Sequence, residues 1–397
     1  MIERRNFLVS LAAAGITPAA LRATASARDE SLGAALVFSG GGARGAYEAG
    51  LVGALAAMAG LADGTRLSQY DLVCGTSIGA LNGWFVATGQ YVKLRELWYG
   101  IAGENIIRPK PQYAALRDPE SGLIDRAAAA VHLFGLTKNQ SAILQSEPVY
   151  DWIVRHVDPS VPLAMPLVWA VTNLTTQQPE YFFLDPEERS AAFGDRFTHS
   201  LQILLGPQTV VRRATPDILH RALFASAAIP IAFDPVKMPG PDGTENAYCD
   251  GGVASNSPVG IAHALARSAD VVLLDPPFEP ENDVDDAVAV VYSAFGTMQR
   301  KLLETEMRTT YFQSVGKRAL QRLSAAQLAT VTNGHEMLAR YVASVPETAL
   351  RYIRPAKTLP VGVVGFGDAA GIGETFRTGW EDVARGFTPY DWETFVL

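Results

Sequence analysis

Short apolar runs alternate with helix-like stretches along the first part of the chain. The run Ala34–Phe38 is continuously apolar and precedes a stretch with helical spacing that ends at Gly60. The run Tyr70–Gly75 precedes a second such stretch, which ends at Gly89. Short continuous apolar runs between helices are typical of parallel strands that are buried on both faces. The order predicts an α/β fold with a mostly parallel sheet between two layers of helices.

The pattern resumes after a less regular segment at residues 103–147, which includes a short apolar helix at Leu123–Leu136. This segment is either an insertion that borders a site or an ordinary long connection. The later predicted elements are, in order, strands at Pro166–Leu174 and Glu180–Leu184 paired as a hairpin, a helix beginning at Thr215, a strand at Ala247–Cys249, a helix at Val259–Ser268, a strand at Asp270–Asp275, a helix at about 285–323, a strand at Leu359–Phe366 and a helix at Ile372–Phe387. No repeat or linker-like segment interrupts them, so we expect a single large domain at residues 28–397.

Residues 1–27 differ from the rest of the chain. Paired arginines precede a mildly apolar, Ala-rich stretch, and small residues follow at Ala25–Ala27, which is the order of an export signal peptide. The segment Arg4–Leu8 resembles the twin-arginine export signal, although Glu3 stands where a small hydroxyl residue is usual. We therefore expect an exported protein, periplasmic or secreted. The alternative is an uncleaved apolar N-terminus that acts as an anchor.

Composition and charge narrow the classes of partner. The chain has 397 residues, 48% of them hydrophobic, and a net charge of −8. No run of Lys and Arg suggests a nucleic-acid surface or a polybasic lipid-headgroup site. Any contact with a membrane or micelle would be apolar, local and transient. The sequence does not indicate an oligomeric state.

Cysteine and histidine usage argues against a disulfide scaffold and a metal site. The two cysteines, Cys74 and Cys249, belong to no C-x-x-C pair, and the six histidines show no metal-ligand spacing. Small buried hydrophobic residues are the preferred interpretation of both cysteines, and a disulfide between them is the alternative. We expect neither a metal nor a cofactor.

A G-x-S-x-G sequence occupies Gly75–Gly79, between a predicted strand and a predicted helix. This is the context of a nucleophile elbow, in which the serine stands on a tight turn and the glycines let strand and helix approach closely. The hydroxyl of Ser77 would then lie at a helix N-terminus, which favours developing negative charge. Ser77 is therefore the candidate nucleophile, with Gly75 and Gly79 in support.

A serine nucleophile needs a base, and Asp250 is the best candidate. It follows a predicted strand and precedes Gly251 and Gly252, so it should lie at the carboxyl end of a strand, where ligands of open α/β sheets collect. An Asp base would need a pKa raised by burial. Taken alone, the D-G-G sequence also fits a plain turn or a helix cap. Neither His263 nor His335 has a convincing catalytic context, and both are interpreted as structural.

Three consecutive glycines, Gly40–Gly42, follow the first predicted strand. With Gly45 they fit the dinucleotide-binding pattern G-x-G-x-x-G, but the acid at the required distance, Asp63, lies in a loop rather than at a strand end. The alternative is an oxyanion hole, in which backbone N–H groups of Gly40, Gly41 and Gly42 face a carbonyl attacked by Ser77. Arg44 could order this loop or add positive potential.

These segments together resemble the patatin-like phospholipase family. The family pattern of G-G-G-x-R-G, G-x-S-x-G and D-G-G occurs here in the same order. The block Ser226–Val236 also looks like the family, as do Asn256 and Pro258 after the D-G-G. The resemblance covers a motif core at 34–275 and leaves a helical C-terminal extension at about 285–397 outside it.

The resemblance implies a three-layer α/β/α sandwich and a lipid acyl hydrolase of the phospholipase A or lysophospholipase type. It implies Ser77 as nucleophile, Asp250 as base and the Gly40–Gly42 loop as oxyanion hole, without calcium or another metal. The substrate would be a lipid or another acyl ester. The alternatives are a catalytically degraded lipid-binding relative and a non-lipid carboxylesterase, and a dinucleotide-dependent oxidoreductase is a third hypothesis. Lipid class, acyl position and a lid role for residues 103–147 stay open.

Overall fold

One sheet of ten strands runs through the part of the chain that the computed structural model describes. The described residues are 32–116, 142–186, 190–277, 287–333 and 335–395. The expected export signal at 1–27 and the expected helix at Leu123–Leu136 lie outside them. The strands are β1 (Leu32–Phe38), β2 (Leu72–Thr76), β3 (Leu167–Asn173), β4 (Gln178–Leu184), β5 (Val210–Arg213), β6 (Val236–Pro239), β7 (Glu245–Asp250), β8 (Ala266–Val272), β9 (Ala349–Ile353) and β10 (Thr388–Pro389).

The centre of the sheet is parallel, and antiparallel pairs lie on either side of it, at β9–β10 and at β3–β4, beyond which β5 pairs parallel with β4. Strands lie in the order β10-β9-β8-β1-β2-β3-β4-β5, and β7 pairs with both β3 and β6. The pairs from β9 to β3 are all parallel. The expected hairpin is confirmed, since β3 and β4 pair antiparallel along their whole length. The mostly parallel sheet between helices confirms the predicted α/β/α fold.

Strand β1 shows why its sequence is continuously apolar. Leu36 and Phe38 belong to one hydrophobic core, whereas Ala35 and Val37 belong to the other, on the opposite face of the sheet. All four side chains are fully buried. Because successive side chains of a strand point to opposite faces, a strand that is covered on both sides buries all of its side chains and is apolar at every position.

Two helix layers cover the sheet. The helices are α1 (Ala46–Met58), α2 (Ile78–Ala87), α3 (Tyr91–Gly100), α4 (Glu147–His156), α5 (Ser190–Leu205), α6 (Pro216–Ala227), α7 (Val259–Leu265), α8 (Ala287–Gln321), α9 (Ala325–Thr332), α10 (Glu336–Ser344) and α11 (Ala369–Asp382). Helices α1, α2, α3, α4, α6 and α11 pack together on one side, and α5, α7, α8 and α10 on the other. None of the described helices has the length and apolar character needed to cross a bilayer.

The predicted strand at Leu359–Phe366 is wrong. The segment is an irregular loop, and the place beside β8 is taken by β9, which the sequence analysis did not predict. Pro360 lacks the amide that a ladder needs, and the glycines at 362 and 365 disfavour an extended strand. The predicted long helix at 285–323 and the last helix are confirmed as α8 and α11.

Candidate active site

The edge of β3 brings the two candidate catalytic residues together. The first half of this edge pairs with β2, where Ala170 opposes Thr76. The second half pairs with β7, where the next residue, Val171, opposes Asp250. Strands β2 and β7 therefore meet end to end along one edge of β3. Thr76, the residue before Ser77, and Asp250 are therefore held beside consecutive residues of one buried strand.

Ser77 stands on a tight turn between β2 and α2. Its backbone has φ 56° and ψ −126°, a conformation that non-glycine residues rarely adopt. A Cβ on Gly75 would collide with the carbonyl of Gly79, and a Cβ on Gly79 would lie 2.8 Å from the Phe38 Cβ. The two glycines are therefore required by the close approach of β1, β2 and α2. Such local strain is typical of functional sites.

The Ser77 side chain lies against the Asp250 carboxyl group, and their interaction lowers the pKa of this carboxyl. Both residues are buried, each with 4% of its surface exposed. Burial raises the pKa of Asp250 from 3.8 to about 7, although hydrogen bonds from Ser77 and from the Gly252 amide oppose this change. The Gly252 amide lies 2.6 Å from Asp250 Oδ1. A pKa near neutral pH is the property that a general base requires.

The C-terminal end of α6 bonds to both members of the pair. The Ser226 hydroxyl accepts a hydrogen bond from the Ser77 amide at 2.9 Å and donates one to the Ala170 carbonyl at 2.7 Å. The Ala228 carbonyl accepts the Asp250 amide at 2.9 Å. The family resemblance includes the block Ser226–Val236 without assigning it a role. The first residues of this block bond the backbone of Ser77 and of Asp250 at the end of β7.

The glycine loop between β1 and α1 lies beside the Ser77 turn. A Cβ on Gly40 would lie 3.1 Å from the Ser77 Cβ. The Gly40 amide donates to the Asn256 carbonyl at 2.8 Å, and the Asn256 side-chain amide donates to the Gly40 carbonyl at 3.4 Å. The Gly40 N–H group is thus already used, which contradicts its expected part in the oxyanion hole. Gly41 and Gly42 are left as the candidate donors.

Gly42 must be a glycine in this loop. Its φ is +58°, and a Cβ would collide with the carbonyl of Val363. The same carbonyl accepts the Ala43 amide at 2.9 Å. The irregular segment after Leu359 thus packs against the glycine loop and fixes it through the Val363 carbonyl. A strand in this position would have paired its carbonyls within the sheet instead.

Arg44 orders the loop by two contacts. Its guanidinium pairs with Asp275 at 2.5 Å, and its Nε lies 3.4 Å from the Gly41 carbonyl. Holding that carbonyl fixes the peptide plane between Gly41 and Gly42, and with it the direction of the Gly42 amide. Of the two roles that the sequence left open, the contacts favour ordering of the loop.

Glu48 and Asn82 form a buried support that sequence analysis missed. Asn82 Nδ2 lies 2.8 Å from the Glu48 carboxylate and 3.0 Å from the Gly45 carbonyl. Burial raises the pKa of Glu48 well above its usual value, against the opposing effect of the hydrogen bond from Asn82. The pair therefore holds Gly45, the last glycine of the loop. A polar residue inside each of two apolar helical patterns was the only available sequence signal.

The other singled-out residues lie in structural roles. His263 is buried on α7, where its Nδ1 bonds the Thr348 hydroxyl at 2.9 Å and burial lowers its pKa to about 3. Asp63 accepts the Val92 amide at the start of α3. Cys74 and Cys249 are buried free thiols, as the preferred interpretation predicts. His335 is exposed before α10. Among the described residues, no cluster of acidic, histidine or cysteine side chains could hold a metal ion.

Comparisons with known proteins identify the region that carries this site. The sequence model of the patatin-like phospholipase family matches residues 36–263, more than half of the chain. No curated protein matches the sequence. Among solved structures, the chain is similar to VipD from Legionella pneumophila, with 13% identity, a TM-score of 0.35 and coverage of 91% of this chain and 68% of VipD. That similarity is too low to support an inference.

Proposed function

Because the chain belongs to the patatin-like phospholipase family, we propose that it hydrolyses acyl esters of lipids through an acyl-serine intermediate. The family implies a lipid ester hydrolase. The mechanism that we propose uses Ser77 as nucleophile and Asp250 as general base. The observation that carries it is the juxtaposition of Ser77, directly after β2, and the buried carboxyl of Asp250, at the end of β7, along one edge of β3.

In the first half of the reaction, the Ser77 oxygen attacks the ester carbonyl while its proton passes to Asp250. The tetrahedral intermediate then collapses, and the protonated Asp250 returns the proton to the leaving alcohol or lysolipid. In the second half, Asp250 removes a proton from water, which attacks the acyl-serine, and the protonated Asp250 returns the proton to the Ser77 oxygen as the fatty acid leaves. One group serves as base and as acid because its pKa lies near neutral pH.

The oxyanion of the intermediate would be stabilised by the amides of Gly41 and Gly42. Two backbone donors aimed at the developing charge are the usual arrangement in acyl transfer. The proposal is supported by the position of the loop beside Ser77 and by the contacts that fix it, from Arg44 and from Val363. Gly40 would donate no hydrogen bond to the oxyanion. Its two hydrogen bonds to Asn256 would instead fix the position of the loop.

Covalent labelling with a fluorophosphonate tests the nucleophile. We expect stoichiometric labelling at Ser77 in the wild type, and loss of both labelling and ester hydrolysis, by roughly 10³-fold or more, in Ser77→Ala. Ser68→Ala is the matched control, since Ser68 is an exposed turn residue. A Ser77→Ala variant that folds and retains hydrolysis would refute the assignment.

The two alternative functions predict different products. Incubation of wild type and Ser77→Ala with a mixed lipid extract should yield free fatty acid only with the wild type, and the lipid consumed identifies the substrate class. A non-lipid carboxylesterase would cleave short soluble esters but leave the extract unchanged. A degraded lipid-binding relative would neither label nor release fatty acid.

Export is a separate proposal that rests on residues 1–27 alone. The paired arginines are the feature that the twin-arginine route requires, so Arg4→Lys together with Arg5→Lys should retain the protein in the cytoplasm. Fractionation of cells that express both forms measures this. Unchanged export of the double variant would argue against the twin-arginine route, and export without cleavage would favour the anchor.

A further inference from the structure

Helix α8 contacts the active-site loops although it lies outside the family match. The match ends at residue 263, whereas α8 spans Ala287–Gln321. Two of its polar side chains, Gln299 and Glu306, reach the residues that follow Asp250. They are seven positions apart, which is about two helical turns and places them on one face. Leu303, between them on that face, is buried in the core beneath the sheet.

Gln299 contacts the loop that follows Asp250, residues 251–258, which we call the acid loop. Its Nε2 lies 3.5 Å from the Gly252 carbonyl and 3.3 Å from Asn256 Oδ1. Gly252 is the residue whose amide donates to Asp250. A Cβ on Gly252 would lie 2.9 Å from both the Gln299 amide nitrogen and Asp250 Oδ1, so the two side chains flank the same small space.

Asn256 extends this contact to the glycine loop. Its side-chain amide and its backbone carbonyl bond the carbonyl and the amide of Gly40. Its side-chain oxygen faces Gln299, so the orientation of the Asn256 amide group is set by a donor from α8. A continuous path of hydrogen bonds therefore runs from α8 through Asn256 to the first glycine of the loop.

Glu306 anchors the helix to the same loop further along. Its carboxylate accepts the Ser255 hydroxyl at 2.7 Å and the Val259 amide at 3.1 Å. The Ser255 carbonyl in turn accepts the hydroxyl of Thr76, the residue before Ser77, at 2.8 Å. The contacts of Gln299 and of Glu306, two helical turns apart, together fix the position of α8 against the acid loop.

We propose that Gln299 is a positioning residue of the active site, which acts through Asn256 to fix the glycine loop that holds the oxyanion. The inference rests on the proposed function, because it assigns Gln299 a part in that reaction. It means that the catalytic unit includes a helix of the C-terminal extension. Removal of one weak hydrogen bond from such a path should slow catalysis about fivefold to tenfold.

The test compares Gln299→Met, which keeps the length of the side chain but removes the donor, with Gln321→Met at the exposed end of the same helix. We expect Gln299→Met to lower kcat about fivefold to tenfold with KM unchanged, and to slow fluorophosphonate labelling of Ser77 by the same factor. Gln321→Met should match the wild type in both. Gln299→Ala provides a second variant should the methionine perturb packing.

Dependence on Asn256 separates positioning from a general effect on the fold. Residues that act through one another are not additive, so Gln299→Met should add less than twofold to the loss seen in Asn256→Ala. Independent, multiplied losses would overturn the proposal, as would wild-type kcat in Gln299→Met. If Ser77→Ala also retained activity, the proposed function itself would fail, whereas an inactive Ser77→Ala beside a fully active Gln299→Met would refute only the positioning role.

Discussion

Replacement of Asp250 by asparagine tests whether the buried charge of Asp250 lowers the free energy of unfolding, separately from the part of this residue in the reaction. In the native protein, burial raises the pKa of this carboxyl from 3.8 to about 7. Each pH unit of difference corresponds to about 1.36 kcal/mol, so the buried charge destabilises the native state by roughly 4 kcal/mol when it is fully ionised. Asparagine has nearly the same shape and can still accept the Gly252 amide, but it carries no charge.

The direction of the pKa change determines how the stability of the protein varies with pH. Because the folded-state pKa lies above that of the unfolded chain, the contribution of Asp250 to stability is complete below about pH 4 and is lost as the pH rises to about 7. Asp250→Asn lacks this titration. We therefore expect the variant to gain up to about 4 kcal/mol in free energy of unfolding, relative to wild type, between pH 4 and pH 8.

Urea unfolding followed by tryptophan fluorescence at a series of pH values measures this difference. Glu306 needs a control, because burial also raises its pKa to about 7. The comparison is therefore repeated with Glu306→Gln in both proteins. The kcat/KM of the wild type should rise with pH to a plateau with a midpoint near 7, since the base acts when ionised. Stability curves of variant and wild type that stay parallel from pH 4 to pH 8 would refute a buried, proton-exchanging Asp250.

Four further predictions concern the surroundings of the dyad. Ser226→Ala removes the acceptor of the Ser77 amide and should lower kcat about tenfold in steady-state assays, with a melting temperature that falls by only a few degrees. Gly75→Ala places a Cβ against the Gly79 carbonyl and should lower the melting temperature strongly, whereas Gly100→Ala, with open space around it, should not. Gln299→Glu adds a second carboxylate beside Asp250 and should move the midpoint of the kcat/KM profile upward, and an unmoved midpoint would place the side chain elsewhere. Incubation with EDTA should leave ester hydrolysis unchanged, and a loss restored by calcium would contradict the metal-free mechanism.

The parts of this fold that sequence predicts are those fixed by local pattern. Strand β1 is continuously apolar because both of its faces are covered, and the elbow is recognisable because its glycines and serine are adjacent in the chain. Strand β9 is not recognisable from the sequence because it has only five residues and a charged residue, Arg351, at its centre, where it pairs with the buried Asp270. The more apolar segment after Leu359 forms a loop instead.

Of the candidate site, the local sequence indicates only the two residues that we propose to react. Ser77 and Asp250 stand in short motifs, but the partners that hold them come from distant segments and leave no mark in the local sequence. The use of the Gly40 amide depends on the Asn256 carbonyl, and the position of Asn256 depends on Gln299. Such dependence arises from tertiary packing, so a glycine-rich loop alone cannot indicate which of its amides are available to an oxyanion.

The end-to-end arrangement of β2 and β7 on β3 has a consequence for how this protein can vary. The spacing of the pair is set by two consecutive peptide units of one buried strand, Ala170 and Val171, and not by the length of chain between Ser77 and Asp250. Long segments between β2 and β7 can therefore grow, shrink or be exchanged while the reacting atoms keep their distance. A single residue inserted within β3 would do the opposite, because it shifts every later pairing and turns the following side chains to the other face of the sheet. Activity should thus tolerate a large loop insertion at the surface and fail after a one-residue insertion in this strand.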